Sequence, residues 1–184
     1  MGRRLGQHFL RAPSVERLLR TLEPRPNEEF LEIGAGLGAL TLPLAARAHR
    51  VVAVELDSRL AESLARRAPP SVEVRAGDAL QLDLRALVPS GSRLVGNLPY
   101  AISSPLLRRF LDLRGYVRDL HLLLQLEVAQ RVAASPGTKE YGILSVLYGL
   151  FADIDIPLRF GPGCFSPPPR VDSALLRIRW RAEP

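Results

Sequence analysis

The stretch Glu29–Thr41, EFLEIGAGLGALT, constrains this chain more than any other. It joins an apolar run to three closely spaced glycines and then to a helical pattern. Phe30, Leu31 and Ile33 form the short apolar segment required of a strand buried on both faces. Gly34, Gly36 and Gly38 follow at once, and residues without a Cβ let the backbone turn tightly and approach a ligand. Leu40 and Leu44 then share one helix face, which tolerates Pro43 only near the first turn. The turn is therefore expected at the C-terminal edge of a sheet, where open α/β folds bind ligands. Gly34, Gly36 and Ala39 also satisfy the pattern G-x-G-x-x-A, and Glu55 closes VVAVE at the spacing where a carboxylate holds a ribose diol. These features indicate an adenosine-containing cofactor, either NAD or S-adenosylmethionine (SAM).

A chain of 184 residues with 47% hydrophobic content suits one domain with a sizeable core and lies far from the composition of disordered segments. The formal net charge of +6 favours an acidic partner such as RNA, although a preference for surface arginine would also produce it, since Lys139 is the only lysine. Cys164 is the single cysteine, which excludes an intramolecular disulfide and suits a reducing, cytoplasmic setting. The N-terminal MGRRLGQHFLR is basic without the apolar stretch of a signal peptide, and no apolar run approaches membrane-spanning length.

Strand and helix patterns alternate along most of the chain. A helix carrying Val15, Leu18, Leu19 and Leu22 on one face ends by Pro24. After the glycine turn come VVAVE, a helix capped by Asp57, a third strand over 71–76 ending in Gly77-Asp78, and a short fourth strand over 93–96. A helix over 104–113, the strand HLLLQ and a helix over 127–133 continue the alternation. The pattern predicts a mainly parallel sheet with helices on both faces. Beyond Ser135 a buried helix is expected over 143–150, followed by strands over 152–160 and 174–180 that flank GPGCFSPPPRV and pair antiparallel at the sheet edge.

Gly34, Glu55, Asp78 and Asn97 thus close four strands at one edge. Asp78 can accept from an adenine amino group, or simply cap the turn after Gly77. Asn97-Leu98-Pro99-Tyr100 is the most informative tetrapeptide. The exocyclic amine of adenine is a poor nucleophile because its lone pair is delocalised into the ring. Asn97 Oδ1 and the Leu98 carbonyl could bind its two hydrogens and favour a pyramidal nitrogen, while Tyr100 stacks on the base. An ordinary asparagine-proline turn would account for Asn97 and Pro99 but not for Tyr100.

From GQHFL to SALLRIRW, through LEIGAGLGALT, GNLPYAISSPL, LLLQLEVAQRV, KEYGILSV and FSPPPRVDSAL, the chain resembles the ribosomal RNA adenine N6-dimethyltransferases. The resemblance implies a Rossmann-like class I SAM-dependent methyltransferase domain over residues 1–184, an α/β fold with an antiparallel edge strand. It implies Gln7, His8 and Leu10 over the cofactor and Gly34 and Gly36 near its amino-acid moiety. Glu55 with Leu56 would meet the ribose, and Asp78 with Ala79 the adenine. It places the target base against Asn97, Leu98, Pro99 and Tyr100, with Asn97 also beside the cofactor and Phe165 as the second stacking face, the base being flipped out or unpaired. His8 departs from the family's usual asparagine, Ala101 from a second asparagine, and Leu126 from a lysine. Relatives continue into a small helical domain beyond the position of Pro184.

The expected function is SAM-dependent methylation, twice per base, of adenine N6 in small-subunit rRNA by a cytoplasmic monomer, with the rRNA presented in a small ribosomal subunit or its precursor. Alternatives are the large-subunit enzymes of macrolide-resistance type, a non-catalytic RNA-binding or assembly factor, and an NAD-dependent oxidoreductase, for which no acid-base set is evident. His8, His49, His121 and Cys164 lack metal-ligand spacing, and there is no G-x-S-x-G elbow. Arg3, Arg4, Arg11, Arg108, Arg109 and Arg170 are the expected RNA-facing cations.

Overall fold

The computed structural model describes residues 8–181. In chain order the elements are β1 (Phe9–Leu10), α1 (Ala12–Leu22), β2 (Glu29–Ile33), α2 (Thr41–Ala45), β3 (Arg50–Glu55), α3 (Ser58–Ala65), β4 (Val72–Ala76) and β5 (Arg93–Asn97). They continue with α4 (Ser103–Phe110), β6 (Asp119–Gln125), α5 (Leu126–Val132), α6 (Ile143–Phe151), β7 (Ala152–Phe160), β8 (Phe165–Ser166) and β9 (Ser173–Trp180). One seven-stranded sheet runs in the order β4-β3-β2-β5-β6-β9-β7, and β1 pairs with β8 in a separate two-stranded ribbon.

The five strands from β4 to β6 are parallel, as the near-continuous apolar runs of β2, β3, β5 and β6 predict, with the alternating β4 at the outer edge. Successive residues serve opposite faces. Leu122 and Leu124 of β6 join Leu106, Phe110, Val128 and Tyr148 under α4, α5 and α6, whereas Leu123 joins Leu18, Leu22 and Leu44 under α1 and α2. The expected antiparallel pair lies at the sheet edge, but the reversed strand is β9, the inner of the two. Its Ala174, Leu175, Leu176 and Ile178 are all fully buried and need cover on both sides. β7 takes the outer position, where Pro157, which has no N–H to donate, coincides with a register shift between Asp155 and Leu158. α6 also departs from expectation. Leu144, Ser145 and Tyr148 are buried, but Ile143 and Leu150 stand 67% and 62% exposed on the opposite face.

Pro43 is the third residue of the five-residue α2, so its missing N–H disturbs no established helical bond. At the N-terminal edge of the strands, the buried Arg93 guanidinium meets Asp119 at 2.9 Å, Glu28 at 3.1 Å and the Leu22 carbonyl at 2.8 Å. Glu28 also accepts from Arg118 at 2.7 Å. Burial works against the Asp119 charge, but the neighbouring His121 imidazole and the hydrogen bonds from Arg93 hold its carboxyl down at about 2. This network ties β2, β5 and β6 together at the end opposite the glycine turn.

Candidate active site

The C-terminal edge opens into a cleft between the ends of β2, β3, β4 and β5. Gly34, Gly36, Glu55, Leu56, Asp78, Ala79, Asn97, Leu98, Pro99 and Tyr100 all line it, together with His8 and Phe9. Most of the expected site residues are therefore brought to one place by the parallel topology. The glycine turn needs its glycines for two reasons. Gly34 and Gly36 have φ of +79° and +56°, and a Cβ on Gly34 would stand 3.1 Å from the Asn97 carbonyl oxygen. A Cβ on Gly36 would collide with the Phe9 ring at 2.6 Å.

Glu55 secures this turn. Its Oε2 accepts from the Gly36 N–H at 2.7 Å and its Oε1 from the Asp57 N–H at 2.9 Å, with the residue only 3% exposed. Each carboxylate oxygen keeps a second lone pair, so holding the loop and meeting a ribose hydroxyl are compatible tasks. Asp78 shows the same duality, because Oδ1 caps the Leu80 N–H at 2.9 Å while the residue lines the cleft.

Asn97 donates from Nδ2 to the His8 carbonyl at 2.7 Å, which fixes the amide orientation and leaves Oδ1 as the acceptor. The Leu98 N–H bonds to Leu123, and the Pro99 carbonyl accepts from Ile102 to close a single helical turn over Tyr100–Ile102. The Tyr100 hydroxyl is 2.6 Å from Ser173 Oγ. Burial pushes the Tyr100 phenol up, opposed by the Ser173 bond, so the hydroxyl stays protonated.

Two expected residues lie elsewhere. Leu10 and Phe165 face each other across β1 and β8, and both point into the core, with Phe165 fully buried. The strand alternation that turns Leu10 inward turns Phe9 into the cleft, over Gly36. Phe165 therefore supports the N-terminal segment from beneath and forms no wall of the cleft. Gln7, Arg3 and Arg4 lie outside the described residues. Arg109 bonds the Ala79 and Leu82 carbonyls at 3.1 and 2.5 Å, so it braces the segment after Asp78, while Arg11 reaches the Phe165 carbonyl at 3.2 Å. Arg108 and Arg170 are exposed. Phe9 and Ser173 were not singled out from the sequence, although the period of two in HFL and the serine in VDSAL were visible signals.

The cleft fits SAM on three counts. A backbone surface bare of Cβ atoms borders it at Gly34 and Gly36, two carboxylates close adjacent strands, and Leu56, Ile102 and Leu106 supply apolar walls. Among the described residues, no helix is long and apolar enough to cross a membrane.

The ribosomal RNA small subunit methyltransferase A of Leptothrix cholodnii is 44% identical over 99% of this chain and 68% of its own length. That of Geobacter metallireducens is 49% identical over 94% of this chain and 65% of its own. The crystal structure of a dimethyladenosine transferase from Plasmodium falciparum superposes with a TM-score of 0.84 at 28% identity, covering 95% of this chain and 64% of that one. The structure of the 23S rRNA methyltransferase ErmE also gives 0.84, at 34% identity over 96% and 71%. The chain thus spans about two thirds of the length of such relatives. The family model for ribosomal RNA adenine dimethylase matches residues 2–184, and with the cleft described above this chain belongs to that family.

Proposed function

We propose that this protein transfers methyl groups from SAM to N6 of adenine in small-subunit ribosomal RNA, twice on each base. The observation that carries the reading is the Asn97–Tyr100 loop, which opens onto the same cleft as Glu55 and Asp78. Asn97 Oδ1 and the Leu98 carbonyl hold the two N6 hydrogens, and Tyr100 stacks on the base. This pair of acceptors favours the pyramidal nitrogen of the transition state over the planar amine of the ground state. Glu55 binds the ribose hydroxyls of the cofactor and Asp78 its adenine amine, while Gly34 and Gly36 let the backbone approach its amino-acid end. Bound there, SAM supplies an electrophilic methyl group on a sulfonium centre.

Identities of 44% and 49% to relatives named for the small subunit, against 34% to ErmE, support the small-subunit assignment. The chain acts in the cytoplasm as a monomer on RNA held in a small subunit or its precursor. The test is incubation with methyl-labelled SAM and, separately, unmodified small-subunit particles and large-subunit rRNA, followed by digestion and mass identification of labelled nucleosides. Dimethyladenosine from the small-subunit particles is expected. Label confined to large-subunit RNA would reassign the substrate, and SAM binding without label in either would remove the catalytic reading.

A further inference from the structure

A second, shallower basin of about 440 Å³ opens where the junction of β6 and α5 meets the segment that follows the proline run. Its size is within the range of small-ligand pockets. The first segment contributes Gln125, Leu126 and Gln130, and the second Arg170, Val171 and Asp172. The Leu126 N–H donates to the Asp172 carbonyl at 2.9 Å, which fastens the two segments to each other. Gln125 stands directly opposite Ser173 in the β6–β9 ladder, and Ser173 Oγ lies 2.6 Å from the Tyr100 hydroxyl. Residues opposite each other in such a ladder share a face of the sheet with Cβ atoms about 5 Å apart, so only Ser173 separates this basin from the proposed stacking ring.

Its side chains suit a nucleotide. Arg170 is exposed and makes no hydrogen bond or ion pair among the described residues, which leaves its guanidinium free for a phosphate. The carboxylates nearby do not cancel that charge. Glu127 is held by Arg131 at 2.7 Å, and Asp172 forms no ion pair with Arg170 among the described residues. The side-chain amides of Gln125 and Gln130 also have no partner among the described residues, and an amide both donates and accepts, as base edges do. Val171, 44% exposed, and the half-buried Leu126 add apolar surface between these polar groups.

We infer that this basin holds the nucleotide next to the target adenine in the same RNA strand, an inference that rests on the adenine reading above. Arg170 meets its phosphate, Gln125 and Gln130 its base edge, and Val171 and Leu126 the face of the base. The Asp172 carboxylate, an acceptor only, favours a base that presents an amino or imino hydrogen. The exocyclic amine is the same at every adenine, so the cleft by itself reads the base and not its position in the RNA. Contact with the adjoining nucleotide supplies that selection among unpaired adenines, the phosphate fixing register and the base edge carrying sequence.

The test follows N6-methylation of unmodified small-subunit particles by wild type, Arg170→Ala and Gln130→Ala at several salt concentrations, with SAM affinity measured separately by calorimetry. Both side chains are exposed, so melting temperatures should match wild type and SAM affinities should stay within about twofold. For Arg170→Ala, kcat/KM should fall about tenfold, mainly through KM, and the salt slope should drop by about one phosphate contact. A second arm uses particles rebuilt with RNA in which the nucleotide on either side of the methylated adenine is replaced. On one side the replacement should slow wild type at least about tenfold, the scale of a lost base-edge contact, and slow Gln130→Ala less than about threefold. Unchanged KM and salt slope in Arg170→Ala would overturn the proposal. So would equal sensitivity of wild type and Gln130→Ala to the neighbouring nucleotide, which would reduce Arg170 to a non-specific backbone contact. A wild-type protein that yields no N6-methylated adenine would instead remove the adenine reading, and this inference with it.

Discussion

The Tyr100 hydroxyl and Ser173 Oγ, 73 residues apart in sequence, lie 2.6 Å from each other across the ends of β5 and β9. Ser173 is fully buried and pairs with Gln125 of β6, so the bond ties the proposed stacking ring to the rigid sheet. Ser173→Ala removes the tether without altering the cofactor side of the cleft. A neutral hydrogen bond of about 1 kcal/mol sets the scale, so kcat/KM for RNA should fall about fivefold while SAM affinity is unchanged. Steady-state kinetics with calorimetric SAM binding checks this, and an equal loss in both quantities would show a general disturbance of the cleft.

Asn97→Ala should reduce methyl transfer at least about 100-fold, the scale of losing one preorganised transition-state contact. It also frees the His8 carbonyl, so the loss should exceed that of Ser173→Ala. SAM affinity should remain within a few-fold, because the principal cofactor contacts assigned here belong to Glu55 and Asp78. Preserved turnover would show that N6 is held by other groups.

Glu55→Ala should weaken SAM binding by about 1.5–3 kcal/mol, the scale of hydrogen bonds to a charged group. Because Glu55 also holds the Gly36 and Asp57 N–H groups, the loss should be accompanied by a lower melting temperature in the absence of cofactor. Glu55→Gln keeps the shape but can accept at only one side-chain atom, so one loop N–H loses its partner. Calorimetry alongside thermal unfolding separates the two contributions, and undiminished SAM affinity in Glu55→Ala would place the ribose elsewhere.

Local patterns account for what was legible in the sequence. The apolar runs of β2, β3, β5 and β6, the glycines at 34 and 36, and the carboxylates closing successive strands are all local signals, and parallel topology then gathers their ends at one edge. Pairings between distant segments were harder to read. Leu10 and Phe165 turn into the core because two very short strands meet 155 residues apart, and a two-residue strand has too little alternation to declare its inward face. The inner place of β9 follows from its two buried faces and from Pro157 in its neighbour, a comparison between strands that neither strand makes alone. Ser173 stood within a recognised motif, but its partner Tyr100 becomes evident only when β9 is seen beside β6.

Arg93 offers a test of stability remote from the site. Its guanidinium bridges Asp119 and Glu28 at the opposite edge of the sheet, with the three side chains at most 10% exposed. Arg93→Met leaves these carboxylates short of a partner in a buried setting, which typically costs about 3–5 kcal/mol. Denaturant unfolding should show that loss, while SAM affinity measured well below the melting transition should be nearly that of wild type. A loss below about 1 kcal/mol would mean that Arg118 and His121 take over the charge compensation.

Glu32 gives the stability a distinctive pH dependence. On β2, Glu32 is only 2% exposed, and burial pushes its carboxyl up to about 7, with the nearby Thr41 hydroxyl opposing and the charge of Glu55 adding to the rise. Glu32 Oε2 and Thr41 Oγ1 are both buried without a well-formed hydrogen bond, so compensation for a buried negative charge is incomplete. The folded value lies above the unfolded value of 4.5, so between these limits the folded chain binds more protons than the unfolded one. Stability from this group is therefore intact below about 4.5 and falls as pH rises to about 7, by roughly 3 kcal/mol if the full shift is realised. Glu32→Gln cannot ionise and should unfold with a smaller decrease between pH 5 and pH 8 than wild type. Denaturant midpoints of both proteins at the two pH values measure the difference, and parallel decreases would assign the slope to another group.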